Sequence, residues 1–266
     1  HHVPIFQPTK IREQSAIEQL RYLRPDVIVV IAYGQILPRE ILRVPSIACL
    51  NLHASLLPRH RGAAPIHAAI EAGDAVTGMT VMYMNEGLDT GDILLQQKLK
   101  IRRRETTGTL HDRLAAQAPG ALSEALLLLK QGRAPRLPQD NETATYAPKL
   151  SRDNGEIVWT ATRDEIDRKI RAMNPWPAAH TFLPTADGPR KLKVFSCIQT
   201  RLNAGQPGEV MRADKNGLLV ATGSGGVLLR EIQLEGKKRM QAKEFLFGTP
   251  VLPGTVLAAP MALPAA

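Results

Sequence analysis

The chain has 266 residues, 44% of them hydrophobic and 22% charged, which excludes a disordered tail or a disulfide miniprotein and allows one large or two modest domains. Lys and Arg outnumber Asp and Glu by 34 to 25, a formal charge of +9 that points toward a polyanionic partner without identifying one. Cys49 and Cys197 are far apart with no C-x-x-C spacing, which argues against a disulfide framework or a cysteine-rich metal site and fits a reducing, cytoplasmic setting. No run approaches the roughly 18 apolar residues of a membrane span, and the first residues carry no apolar signal core, so a soluble, untargeted protein is expected.

In chain order, Val3 to Phe6 reads as a strand cut off at its start, and Ile17, Leu20 and Leu23 recur at helical spacing. Residues 27–32, Val-Ile-Val-Val-Ile-Ala, are β-branched and continuously apolar, the pattern of a central strand buried on both faces of a parallel sheet. A strand over 47–52, a helix over 63–72 ended by Gly73, strands over 77–84 and 93–101 and a long helix over 106–131 follow. Strands alternating with helices predict an α/β layer fold. Residues 134–152 hold Pro135 and Pro138 without periodicity and read as a linker, so the domains are expected at 1–133 and 153–257, with a loose tail over 258–266. A helix over 163–173 and short apolar runs at 192–198, 208–211, 218–221 and 227–234, separated by glycines, suggest a small β-barrel. This segment is the more basic per residue, and Lys191, Lys193, Arg212, Lys215, Lys237, Lys238 and Arg239 fall in or beside its strands and turns. Such residues track a phosphate backbone or form a plain solvated face.

The densest run of unusual residues is Asn51-Leu-His-Ala-Ser-Leu-Leu-Pro-Arg-His-Arg-Gly-Ala-Ala-Pro65, directly after a predicted strand. Ligands of α/β sheets bind beyond the carboxyl ends of strands, and residues two apart on a strand share a face, so Asn51 and His53 project together toward a crevice. An amide donor beside an imidazole suits acyl chemistry, with Asn51 holding an oxyanion and His53 moving a proton. The plain alternative is a packed or surface histidine. Farther on, Gly87-Leu-Asp-Thr-Gly-Asp92 either sets Asp89 against the histidine or forms a simple turn in which Asp89 and Asp92 accept backbone hydrogen bonds. His60 and His67 lack a completing ligand set, so no metal is expected. Walker A, G-x-G-x-x-G and G-x-S-x-G sequences are absent, which leaves nucleotide hydrolysis and serine-hydrolase chemistry without support.

These segments, with Val30 to Gly34, Thr145 to Leu150, Arg171-Ala-Met-Asn-Pro-Trp-Pro177 and Val251 to Gly254, resemble successive motifs of the methionyl-tRNA formyltransferase family, within the wider 10-formyltetrahydrofolate-dependent transferases and hydrolases. The resemblance implies a Rossmann-like formyltransferase domain followed by an OB-like barrel that binds tRNA. It also implies that Asn51, His53 and Asp89 are catalytic, that Ser55, Leu56, Leu57 and Pro58 contact the folate, and that Ala32, Tyr33 and Gly34 line the pterin pocket. Lys149, and from the basic segment Lys237, Lys238 and Arg239, are the candidate tRNA contacts. The partners would be 10-formyltetrahydrofolate and initiator methionyl-tRNA, with no metal and no membrane, and the protein a monomer. Arg59-His60-Arg61-Gly62 stands where relatives usually carry Arg-Trp-Arg-Gly, and His67 replaces a common Gln. The family's opening βαβ segment has no counterpart here, so the chain is expected to be a fragment with an exposed apolar edge. A sugar-amine formyltransferase, a formyltetrahydrofolate hydrolase and a non-catalytic RNA-binding protein are the competing readings.

Overall fold

The computed structural model describes residues 3–201 and 205–257; the tail expected to be loose, 258–266, lies outside the described residues. The chain divides into two units. The first comprises His1–Pro65, Ala75–Ile101 and His111–Lys149, and the second Ile66–Asp74, Arg102–Leu110 and Leu150–Ala266.

The first unit is built on a four-stranded sheet of β1 (Val27–Ile31), β2 (Ala48–His53), β4 (Val76–Tyr83) and β5 (Ile93–Lys100), in the order β1-β2-β4-β5. Only β1 and β2 are parallel, in register from Val27↔Ala48 to Ile31↔Leu52. The β2–β4 and β4–β5 pairs are antiparallel, so the sheet is mixed rather than parallel. The expectation of a central strand at 27–32 is also corrected, because β1 lies at the end of the sheet. Ile28 and Val30 pack on a cluster of Ile11, Ala16, Ile17, Leu37, Ile41 and Cys49. That cluster draws on α1 (Gln14–Leu23) and α2 (Arg39–Leu42). The alternate residues Val29 and Ile31 point to the other face, and Ile31 is 55% exposed. Val3, Ile5 and Phe6, expected as a strand, are exposed and outside any strand.

Residues 134–149, expected as part of a linker, are tied into this first unit. Ile93 and Leu137 exchange backbone hydrogen bonds of 2.8 and 3.0 Å. The two-residue strand β6 (Tyr146–Ala147) pairs in parallel with β3 (Arg61–Gly62). These bonds satisfy backbone groups that an apolar pattern does not reveal.

Two helices run across the division of the chain. In α3 (Pro65–Ala72), Ala69 and Ile70 are buried. In α4 (Thr107–Lys130), Leu110, Leu114, Ala118, Ala121 and Ala125 are buried one turn apart, the stripe expected of an amphipathic helix. No helix among the described residues is long and apolar enough to cross a membrane.

The largest segment of the second unit, from Leu150 on, contains α5 (Arg163–Ala172), started by a capping box between Thr162 and Glu165. Its Ile166 and Ile170 are buried, and the helix packs on strands β8 (Arg190–Thr200) and β11 (Gly226–Leu234). With β7 (Ala179–Leu183), β9 (Val210–Asp214) and β10 (Gly217–Ala221) these form an antiparallel path β7-β8-β11-β10-β9. β12 (Met240–Gln241) pairs with β11, and α6 (Ala242–Gly248) packs against β10 and β11. This is the stretch for which a small OB-like barrel is expected; its strands form an open path, and among the described residues no ladder joins β7 to β9. Leu192, Val194, Val227 and Leu229 alternate inward, each burial contributing about 1.5–3 kcal/mol before entropy is counted. Trp159 is also buried and donates from Nε1 to Thr181 Oγ1 at 3.0 Å, whereas Trp176 is half exposed. The thiols of Cys49 and Cys197 are free and buried. Burial pushes the Cys49 pKa up to about 11 and raises that of Cys197 further, which leaves both protonated and unreactive.

Candidate active site

Asn51 and His53 lie at the carboxyl end of β2, and Asp89 comes from the loop between β4 and β5. The structure brings the three together. Asn51 Nδ2 donates to Asp89 Oδ1 at 3.3 Å, and Asp89 Oδ2 lies 3.6 Å from His53 Nδ1. The same Oδ2 accepts the backbone N–H of Gly62 at 2.8 Å. The local turn is closed by another residue, because Asn85 Oδ1 accepts from Gly87 N and Thr90 Oγ1 at 3.0 and 2.9 Å. The Asp89 carboxylate instead accepts a backbone N–H from outside its own loop, that of Gly62, and faces Asn51 and His53. Asp92 contributes its carbonyl to Tyr83 N and faces exposed Arg136 at 3.8 Å.

His53 is 6% exposed, and its Nε2 lies 2.8 Å from the carbonyl oxygen of His60. A carbonyl only accepts, so Nε2 carries a hydrogen. In the neutral ring Nδ1 is then the basic atom, and it faces Asp89. Burial lowers the His53 pKa below its ordinary 6.5; the Asp89 charge and the bond to His60 O oppose that shift, and the His60 ring adds to it. The ring is neutral near pH 7 and becomes a better-paired cation once Nδ1 takes a proton. His60 is held in a left-handed conformation at φ 59°, with its N–H donating to Thr145 Oγ1 at 2.8 Å.

Of the residues expected to meet the folate, Ser55 and Leu57 are interior members of the turn. Ser55 Oγ donates to Arg59 O at 2.6 Å, and Thr80 Oγ1 bridges Ser55 O and Leu57 N at 2.6 and 3.2 Å. Gln96 Nε2 closes the bracket on Leu57 O at 2.8 Å. Leu57 is buried with Met82 and Ile93. Leu56 and Pro58 are part-exposed, and Ala32, Tyr33 and Gly34 are exposed. The β1–β2 register sets that last trio at the same end of the sheet as His53.

Lys149, Lys237 and Lys238 are exposed. Arg239 is committed within its own unit. Its Nε and Nη2 bind the Glu231 carboxylate at 2.8 and 2.7 Å, and its guanidinium lies 4.0 Å over the Phe195 ring. In the second unit His67 Nε2 lies 3.1 Å from Trp176 O, and burial lowers its pKa. Sequence reasoning missed Thr80, Asn85 and the His60 carbonyl, because a backbone acceptor and a bracing side chain carry no pattern of their own.

Two family models match the chain, "Formyl transferase" over residues 2–126 and "Formyl transferase, C-terminal domain" over 149–250. Methionyl-tRNA formyltransferase of Methylacidiphilum infernorum is 49% identical over 258 residues, which is 97% of this chain and 81% of that protein. The enzyme of that name from Moorella thermoacetica is 46% identical over 256 residues, 96% of this chain and 81% of that one. Among solved structures, HypX from Aquifex aeolicus in complex with tetrahydrofolic acid has a TM-score of 0.65 at 19% identity, covering 86% of this chain and 40% of that chain. A sugar N-formyltransferase from Shewanella has a TM-score of 0.58 at 21% identity, over 74% of this chain and 76% of that chain. The structural matches carry the fold, and the sequence matches carry more: the chain belongs to the methionyl-tRNA formyltransferase family.

Proposed function

We propose that this chain transfers the formyl group of 10-formyltetrahydrofolate to the α-amine of initiator methionyl-tRNA. The observation that carries the chemistry is the convergence of Asn51, His53 and Gly62 on one carboxylate, Asp89. The 49% identity over 97% of the chain to a protein of that name supports the choice of acceptor.

In this reading the neutral α-amine attacks the formyl carbon, and negative charge develops on the formyl oxygen. Asn51 has two amide hydrogens; one reaches Asp89 and the other is free to meet that oxygen. His53 Nδ1 accepts the proton that the attacking amine releases, and the resulting imidazolium is stabilised by Asp89 Oδ2 beside it. The proton then passes to N10 of the folate as the carbon–nitrogen bond breaks. Leu56, Pro58 and the 32–34 turn supply the surface for the donor, while Ser55 and Leu57 hold the turn in shape. Lys149, Lys237 and Lys238 contact tRNA phosphates through charge. The setting is the cytoplasm and the working unit a monomer, with no metal in the reaction.

The test presents the full chain with 10-formyltetrahydrofolate and either charged initiator tRNA, an amino sugar nucleotide or no acceptor. Formyl-methionyl-tRNA is the expected product. Formylation of the sugar, or formate released without an acceptor, would replace this reading with one of its competitors.

A further inference from the structure

The Asp89 loop is held from a residue fifty positions away in the chain. The Gln139 carboxamide nitrogen lies 2.9 Å from Asp89 O and 2.7 Å from Gly91 O, so both of its N–H bonds are used on that loop. Its oxygen accepts Arg61 Nε at 3.0 Å and Nη2 at 2.8 Å. Arg61 is 2% exposed, and its Nη2 also donates to Asn141 Oδ1 at 2.9 Å. A buried guanidinium requires acceptors, and this requirement fixes which way the Gln139 amide points. Flipped, the NH2 would meet guanidinium donors and the oxygen would meet two carbonyl oxygens.

The next residue after Arg61 completes the arrangement. Gly62 N–H binds the Asp89 carboxylate directly, while Arg61 orients the amide that binds the Asp89 main chain. One dipeptide thus controls both the side chain and the backbone of Asp89. The backbone needs holding, because Asp89 sits in the left-handed region at φ 52°, a conformation that non-glycine residues keep only when their surroundings over-determine it.

We infer that Gln139, oriented by buried Arg61, is a positioning residue that sets where the Asp89 carboxylate stands relative to Asn51 and His53. The inference rests on the catalytic assignment proposed above. The titratable groups facing His53 are Asp89 from the β4–β5 loop and His60 from the turn after β2. Withdrawing the Asp89 carboxylate removes the influence that holds the His53 pKa up, so the ring titrates at a lower pH.

The experiment uses Gln139→Met, similar in length and neutral, and Gln139→Glu, which keeps an acceptor for Arg61 but has no N–H for the two carbonyls. Both are made in the full chain. In Gln139→Met the His53 imidazole, followed by NMR without substrate, is expected to titrate roughly half a pH unit or more below the unaltered chain. In both variants kcat falls roughly 10- to 100-fold, with KM for donor and tRNA held within about twofold. If Gln139→Met does not fold, Gln139→Glu decides by its kcat. Unchanged kcat in the folded variants would overturn the proposal. So would activity that falls only with the folded fraction while the His53 titration stays put, since that is a purely structural role. The titration needs no substrate, so a shifted His53 in a protein that fails to formylate tRNA would count against the proposed function alone.

Discussion

Gly62 N–H donates to Asp89 Oδ2 at 2.8 Å, and the room a side chain at 62 would need is already taken. Gly62 adopts φ +115°, and a Cβ there would stand 2.6 Å from the carbonyl oxygen of Ala147. Gly62→Ala must push β3 from β6 or rotate the N–H off the carboxylate. The substitution is expected to destabilise the chain by about 1–3 kcal/mol. It should also reduce kcat at temperatures where the protein is still folded. A thermal melt and an assay well below the midpoint separate the two effects, and full activity there would show that the Gly62 bond is dispensable.

Asn51→Ala and His53→Ala are each expected to lower kcat by roughly two or more orders of magnitude with little change in melting temperature, since each removes an interaction that strengthens in the transition state. Steady-state kinetics with saturating donor and tRNA checks this. Survival of activity within a few-fold in both variants would place the chemistry elsewhere.

The pH profile should carry the mark of Asp89. His53 must be neutral to accept a proton, so the rate rises with pH through its pKa, which burial sets below 6.5. Asp89 opposes that lowering, so Asp89→Asn moves the acidic limb to still lower pH while the plateau drops. A limb that stays in place, or moves upward, would contradict the pairing of these two side chains.

The basic residues after β11 should separate into two kinds. Lys237 and Lys238 are exposed, and replacing both with Ala should weaken tRNA binding and flatten log K against log salt by roughly 0.7–0.9 for each phosphate left without its lysine. Arg239 is bound to Glu231 and stacked on Phe195, so Arg239→Ala should lower the melting temperature more than it changes the salt slope. Equal slopes in all three proteins would assign the lysines to a solvated face.

Asn51 and His53 were legible because they stand two apart at the end of a predicted strand and open a dense polar run, and β2 does end at His53. Asp89 was legible as a close acidic-glycine cluster. Residues 27–31 misled as to burial, because a run of valines and isoleucines looks alike whether one face or both are covered; only the packing of Ile28 and Val30 against α1 distinguishes them. Gln139 was invisible for the opposite reason. It lies among prolines without periodicity, and its role comes from two carbonyls and a guanidinium that meet it only in the fold.

The placement of aromatic residues makes the two units separately observable by light. The chain's two tryptophans, Trp159 and Trp176, both belong to the second unit, and its four tyrosines, Tyr22, Tyr33, Tyr83 and Tyr146, all belong to the first. Indole emission therefore originates in the second unit. Within it, enclosed Trp159 emits toward the blue and half-exposed Trp176 toward the red, and only the latter is open to quenching by iodide. Tyrosine absorbance, by contrast, reports on the first unit, which holds all four tyrosines.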